Sequence, residues 1–385
     1  MEVYLDNSAT TKCSKRAADI MMKVLQEDYG NPSSMHQKGV DAEKYIVNAR
    51  RIICKELKIN DKELLFTSGG TESNNMAIIG TAFANIRKGK HIITTQIEHP
   101  SVKNPMIYLE EQGYEITRIP VDKDGIVNLE KLQKAIREDT ILVSVMHVNN
   151  EIGSVQPLKK IADIIKAANS QTYFHVDCVQ GIGKFKINPK KTGIDLLSAS
   201  GHKFHGPKGV GFLYIGENVR INPILFGGGQ QKNMRSGTEN VPAIAGMAEA
   251  FRECYENLNN KSENLYRLRN NFIKELEKLD NVIIHGSLDT IKSAPHIISA
   301  SFIGVRSEVM LHTLESKGIY VSAGSACSSH KRAGSDTLTA IGLSKEEMES
   351  NIRFSLDDDI EEEHLQYCLS VIREVLPMLR KYQPH

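Results

Sequence analysis

Apolar residues fall along this chain in two alternating patterns. Short strand-like stretches rich in apolar and β-branched residues occupy positions 63–67, 91–95, 114–119, 140–147, 173–176, 194–199 and 212–215. Between several of them, at 74–86, 101–112, 129–136 and 157–168, apolar positions recur at helical spacing. The first pattern predicts strands buried on both faces, and the second predicts amphipathic helices that cover them. Regular alternation of the two predicts a mostly parallel central sheet in an α/β fold. A possible short strand sits at 3–5, and two helices precede the alternation, at 16–28 and 39–57. The second helix has a stripe of Ala42, Ile46, Ala49 and Ile53, and Tyr29-Gly30-Asn31-Pro32 breaks the chain before it.

The pattern changes after 215. A glycine run, Phe226-Gly-Gly-Gly229, and the stretch Met234-Arg-Ser-Gly-Thr238 lead into a long helix at 241–258, whose periodicity continues towards Leu279. Short strands at 282–284, 297–302 and 319–321 and helices at 307–316 and 345–350 then predict a smaller α+β domain. The acidic run Asp357–Glu363 is expected to open the last helix, where carboxylates complement the dipole. The expected division is a large α/β domain at 16–258 and a small one at 259–385, joined by the N-terminal segment 1–15.

Composition narrows the function classes. The chain has 385 residues, 40% hydrophobic and 25% charged, with a formal net charge of +1. That balance gives no electrostatic case for direct nucleic-acid binding. No apolar run approaches a membrane span, and the N-terminus lacks the layout of a signal peptide. Six scattered cysteines form neither a disulfide framework nor CxxC metal spacing, so no metal site and a cytoplasmic home are expected.

In a parallel sheet, ligands collect beyond the carboxyl ends of the strands. Thr71, His99, Asn150, Asp177, Gln180, Ser200, His202 and Lys203 all follow successive predicted strands. Ser68-Gly69-Gly70-Thr71 between strand and helix suits an anion at exposed N–H groups, or else marks a helix capped by Thr71. Lys203, in a glycine-punctuated turn, suits a Schiff base that needs a neutral amine, or is a solvated surface lysine. Asp177 suits a protonated pyridine nitrogen, as in pyridoxal phosphate chemistry, or caps a helix. His99 can lie on a planar cofactor and move protons, or is an ordinary bonded histidine. Arg353 presents a fork for an α-carboxylate, or makes a surface ion pair. Cys327 stands among small residues with Lys331 and Arg332 nearby, a setting that favours thiolate; a loop cysteine is otherwise inert.

Taken together and in order, these motifs resemble the cysteine desulfurases of the NifS/IscS type, in the class V aminotransferase-like branch of pyridoxal phosphate fold-type I enzymes. The likeness runs from Tyr4-Leu-Asp-Asn-Ser-Ala-Thr-Thr11 to Ile352-Arg-Phe-Ser-Leu356. Between lie Thr67-Ser-Gly-Gly-Thr-Glu-Ser73, Glu98-His99, Met146-His-Val-Asn-Asn-Glu-Ile-Gly153, His175-Val-Asp177 with Gln180, Ser200-Gly-His-Lys203 with Gly206-Pro-Lys-Gly209, Met234-Arg-Ser-Gly-Thr238 and Gly324-Ser-Ala-Cys327. The cysteine motif separates desulfurases from aminotransferases.

The resemblance implies pyridoxal 5'-phosphate as cofactor, with Lys203 carrying the Schiff base and Asp177 on the pyridinium nitrogen. His99 would stack on the ring, and Gln180 would bond its phenolic oxygen. Gly70, Thr71, Ser200 and His202 would hold the phosphate, joined by Thr238 from the other subunit of a homodimer. Asn150 and Arg353 would hold the carboxylate of L-cysteine. Lys203 and His99 would move protons, and Cys327 would take the substrate sulfur as a persulfide, leaving alanine. A sulfur-acceptor protein, such as an iron–sulfur scaffold, would follow. Three features depart from the expected pattern. Cys178 follows Asp177 where alanine is common, and strand alternation predicts that it packs away from the site. The loop after Cys327 has unusual text, and the chain stops at His385, so the longer tail used near scaffold proteins is expected to be missing. Rival readings are a selenocysteine lyase, an aminotransferase that never uses Cys327, and a non-catalytic assembly partner.

Overall fold

The computed structural model describes residues 1–323 and 334–381. Val3–Tyr4 (β1) leads into helices Lys15–Gln26 (α1) and Gln37–Leu57 (α2). Strand Leu64–Thr67 (β2) is followed by Gly70–Asn75 (α3), one wide π turn at Met76–Gly80, and Thr81–Ala84 (α4). Then come His91–Thr95 (β3), Pro100–Glu111 (α5), Glu115–Ile119 (β4) and Leu129–Ala135 (α6). Next are Thr140–Met146 (β5), Leu158–Ala168 (α7), Tyr173–Asp177 (β6), Pro189–Thr192 (α8), Leu196–Ser200 (β7) and Gly211–Ile215 (β8).

These seven strands from β2 to β8 form one sheet in the order β2-β8-β7-β6-β5-β3-β4. Only β8 runs against its neighbours. Successive side chains on a strand point to opposite faces. Val143, Leu197 and Phe212 therefore enter the core beneath α1, α2, α7 and Val241–Tyr255 (α9), whereas Leu142, Leu196 and Leu213 enter the core beneath α5. Both faces are covered, which is why the central strands are buried at every position and mostly apolar.

The expected long connector is two helices. Helix α9 ends at Tyr255, Asn257 turns left-handed at φ 56°, and Leu258–Leu276 (α10) starts in a new direction. Neither Gly nor Pro marks this break, so periodicity alone ran across it. The smaller body follows with Val282–His285 (β9), Ile297–Phe302 (β10), Ser307–Glu315 (α11), Ile319–Tyr320 (β11) and Ser322–Ala323 (β12). Asp336–Ala340 (α12), Lys345–Glu349 (α13), Asn351–Ser355 (β13) and Glu362–Lys381 (α14) complete it. Four of its strands form a sheet in the order β12-β13-β10-β9, packed on α10 and α14 around a separate core.

The expected strand at 319–321 shortens to β11, which pairs with β1; β12, which follows Val321 and pairs with β13, is unexpected. The acidic run also departs from expectation. Only Glu362 and Glu363 lie in the first turn of α14. Asp357 is buried ahead of it, and its carboxylate accepts the Asp359 N–H at 3.2 Å.

Residues 1–14 form a strap between the two sheets. Val3 and Tyr4 add to β11, Asn7 bonds the Ser355 carbonyl, and the Thr11 and Ser14 N–H groups donate to the His202 and His205 carbonyls. No helix among the described residues is long and apolar enough to cross a membrane.

Candidate active site

Strands β2 and β7 end on either side of the start of β8, with Gly211 in register between Thr67 and Ser200. A Cβ on Gly211 would lie 2.7 Å from the Gly69 Cα, so the close approach demands glycine. Gly69 itself has φ 151° and precedes the first turn of α3. Thr71 is therefore not the cap: it is the second residue of the helix and is exposed. Ser200 Oγ lies 3.5 Å from where a Cβ on Gly69 would stand. Hydroxyls and the first N–H groups of a helical run meet here, and both suit an anion.

Glu72 brings a carboxylate to the same turn. It accepts the Ser68 N–H at 2.7 Å and pairs with Arg235 Nε at 2.9 Å. Burial pulls its pKa up, but the bonds from Arg235 and Ser68 outweigh that and hold it below the usual value. Arg235 belongs to the stretch that carries Thr238. The same stretch is fixed to the edge of β2, where Gln231 Oε1 accepts the Phe66 N–H at 3.1 Å. Thr238 is exposed at its end.

Lys203 closes the single 3-10 turn Gly201–Lys203 after β7. Its ammonium donates to the Ser8 carbonyl at 2.5 Å and the Ala9 carbonyl at 2.8 Å, both in the strap. Gln180 Nε2 donates to the same Ser8 carbonyl at 2.9 Å. His202 Nδ1 is 3.2 Å from Thr10 Oγ1, and burial, with the charges of Lys203 and Lys208, lowers its pKa to about 4.

Asp177 ends β6 and is buried. Oδ1 accepts the Val179 N–H at 3.0 Å, and Oδ2 accepts from Asn74 Nδ2 at 2.8 Å. Turns, not a helix, follow it, so the capping alternative falls. His99 is the N-cap of α5: its Nδ1 accepts the Ser101 N–H at 3.1 Å and lies 2.8 Å from Ser101 Oγ. Nδ1 is thus held against the start of α5, while the residue as a whole stays exposed at the strand ends. Loss of water around the ring lowers its pKa; Asp177 pulls it up and Lys203 pushes it down.

Glu98, next to His99, is fully buried. Oε1 accepts from Thr95 Oγ1 at 2.7 Å and the Met146 N–H at 2.9 Å, while Oε2 has no partner. Burial pushes this carboxyl up to about 8. Cys178 is also buried, its sulfur 3.4 Å from His147 Nδ1, and burial drives its thiol well above the normal range. It packs in the core as expected, one residue past the end of β6.

Arg353 crosses from the small sheet and is buried, not a surface ion pair. Nη2 meets Asp6 Oδ1 and Nη1 meets the Asn150 carbonyl, each at 2.8 Å. Nε is buried without a partner. Asn150 thus touches Arg353 through its backbone. Cys327, with Lys331 and Arg332, lies outside the described residues.

The fold therefore gathers Gly70, Ser200, Lys203, Asp177, Gln180 and His99 at one edge of the large sheet. Sequence patterns give no role to Asn74, Ser101, Glu98, Asp6 or the Ser8 carbonyl, although the last three lie in matched motifs. His-Pro-Ser carried a usable signal, since proline at a first helical position makes the preceding residue the cap. Among the described residues no cluster of His, Cys, Asp and Glu could hold a metal.

Residues 3–367 match the family model described as aminotransferase class-V. A protein of Dictyoglomus turgidum named cysteine desulfurase IscS is 44% identical over 385 residues, covering 100% of this chain and 97% of that one. A solved NifS-like protein superposes with a TM-score of 0.93 at 39% identity, over 98% of this chain and 100% of that one. The protein SspA, solved in complex with cysteine, gives 0.81 at 31% identity over 93% of this chain and 99% of that one. The chain belongs to the class V aminotransferase family, within its NifS/IscS cysteine desulfurase branch.

Proposed function

We propose that this protein is a cysteine desulfurase: it binds pyridoxal 5'-phosphate, takes L-cysteine to L-alanine and leaves the sulfur as a persulfide on Cys327. The observation that carries the reading is the meeting of Asp177, accepting from two donors, with Lys203 and His99 at one sheet edge. The residues present fit the cofactor. Gly211 lets the Gly69 turn pack directly on the strand ends, which brings the first N–H groups of α3 beside the Ser200 hydroxyl, donors that suit a phosphate. The Asp177 carboxylate suits a pyridinium, and Lys203 supplies an amine.

When bound, the cofactor supplies an electron sink that weakens bonds at the substrate carbons. The protein does the rest. Gly70, Thr71, Ser200 and His202 would hold the phosphate, joined by Thr238 of a second copy. Gln180 would meet the phenolic oxygen, and His99 would cover the ring. Arg353, whose guanidinium is aimed by Asp6 and the Asn150 carbonyl, would take the substrate carboxylate beside Asn150. Lys203 would hold and return the proton moved at the substrate carbon. The Cys327 thiolate would attack the substrate sulfur: one S–S bond forms, the C–S bond breaks, and alanine leaves. The persulfide then passes to an acceptor thiol, as in iron–sulfur cluster assembly. The two separate cores support residues 16–258 as the cofactor-binding body and 259–385 as the smaller one, with 1–15 joining them.

The test is sulfide and alanine release from L-cysteine with a thiol reductant, for the cofactor-loaded protein and Cys327→Ala. Equal yields that vanish in the variant are expected. A variant that keeps working removes Cys327 from the reaction and leaves a lyase or aminotransferase.

A further inference from the structure

One hydrogen-bonded chain runs from Asp177 to His99. Asn74 Nδ2 is 2.8 Å from Asp177 Oδ2 and 2.9 Å from Ser101 Oγ. Ser101 then meets His99 Nδ1 twice, with its N–H at 3.1 Å and its hydroxyl at 2.8 Å.

Each proton in this chain can be placed. A backbone N–H is only a donor, so the Nδ1 that it meets carries no proton. Ser101 O–H then donates to Nδ1 as well, because an unprotonated Nδ1 at 2.8 Å has no proton to give, while the hydroxyl oxygen accepts from Asn74. The Asn74 amide faces Asp177 with nitrogen, since its oxygen would oppose the carboxylate. Both amide hydrogens are thus used, one on each side. The Asn74 carbonyl oxygen is left buried without a partner. A side chain placed by packing alone would not leave that oxygen unmet; its orientation answers to the two acceptors.

We propose that Ser101 and Asn74 are positioning residues that lock His99 in one neutral tautomer, with Nδ1 closed by two donors and its only proton on Nε2, turned to the cleft. This inference rests on the desulfurase reading and sharpens it. In that tautomer the cleft meets an N–H donor and no lone pair on the imidazole edge. Neutral imidazole gives up its last proton only to very strong bases, so His99 holds and polarises an oxygen or sulfur of the bound ligand. The proton carried to and from the substrate carbon is left to Lys203. Asn74 also insulates: it donates both ways, so no proton passes between Asp177 and His99. The charged groups facing the ring are Asp177 and Lys203, whose pulls oppose one another.

The experiment is long-range proton–nitrogen NMR on the uniformly nitrogen-labelled holoenzyme. His99 is assigned by the signals lost in His99→Asn, and spectra run from about pH 6 to about pH 8.5. We expect a bare Nδ1 and a protonated Nε2 throughout, with no titration. In Ser101→Ala the ring loses one donor and should begin to titrate, adding an acid limb to the pH profile of kcat and lowering kcat about tenfold. Ser101→Thr should restore both. A protonated Nδ1 in the wild type, or a Ser101→Ala protein with unchanged ring signals and pH profile, overturns the lock. An inactive holoenzyme with the expected tautomer overturns the activity and leaves the lock standing. An active one whose His99 titrates does the reverse.

Discussion

Glu98 is a carboxyl with one oxygen satisfied and the other buried alone. Its pKa rises from 4.5 to about 8, first through burial and further through the nearby Asp177 charge. The sign follows. The folded protein keeps this proton where the unfolded chain has lost it, so stability is greatest below pH 4.5 and falls as pH rises towards about 8. The slope in that window is at most about 1.4 kcal/mol per pH unit, less wherever the site relaxes. Glu98→Gln keeps an acceptor for Thr95 and Met146 but has no proton to lose. Urea melts at several pH values should show a shallower decline for the variant. Parallel declines would mean that the carboxyl is already ionised in the native protein. The sequence places this residue in a matched motif but assigns it no role. Glu98 precedes a histidine in a polar stretch, and only the neighbouring end of β5 reveals that it is sealed.

At the scale of elements, the segment 226–238 and the start of α3 are joined by the Arg235–Glu72 pair, whose side chains are 22% and 10% exposed. A carboxylate beside a phosphate site repels the ligand unless it is neutralised. Arg235→Gln should therefore weaken pyridoxal phosphate binding about tenfold, the scale of a half-buried charge pair. Removing the charge as well, in Glu72→Gln with Arg235→Gln, should recover most of the loss. Equilibrium dialysis of released cofactor checks both. If the double variant binds no better than the single one, the pair is only a mechanical latch. The elements themselves were largely legible. A strand covered on both faces is buried throughout and mostly apolar, as β5, β6 and β7 are up to their polar ends and a few bonded Ser, Thr and His. Helix breaks were less so. Asn257 interrupts α9 and α10 by turning left-handed, and Asp357 leaves the last helix to fold back on its own local turn; tertiary packing sets both. Asn74 was hidden for a similar reason: it is one polar residue inside a helix, and its meaning comes from β6 beside it.

Across the whole molecule, the strap is where the two sheets communicate. Its carbonyls hold Lys203, its Asn7 holds Ser355, and its Asp6 holds Arg353. Backbone carbonyls leave no trace in a sequence, so the motif at residues 4–11 could be matched but not explained from the sequence. Arg353 shows what is at stake. The guanidinium spans all three parts of the chain: it sits on β13 of the small sheet, bonds Asn150 of the large body, and pairs with Asp6 of the strap. Asp6→Ala removes one anchor and leaves a buried cation held by a single carbonyl. The stability loss should be about 1–2 kcal/mol, below that of a sealed pair, because the Asp6 side chain keeps 23% exposure. Arg353 would also lose its aim, so KM for L-cysteine should rise severalfold while kcat changes little. Those two readouts separate the roles. A drop in stability with an unchanged KM would make Asp6 a strut between the sheets and would take Arg353 out of substrate binding. A raised KM with the stability loss gives the strap a direct part in presenting the carboxylate site.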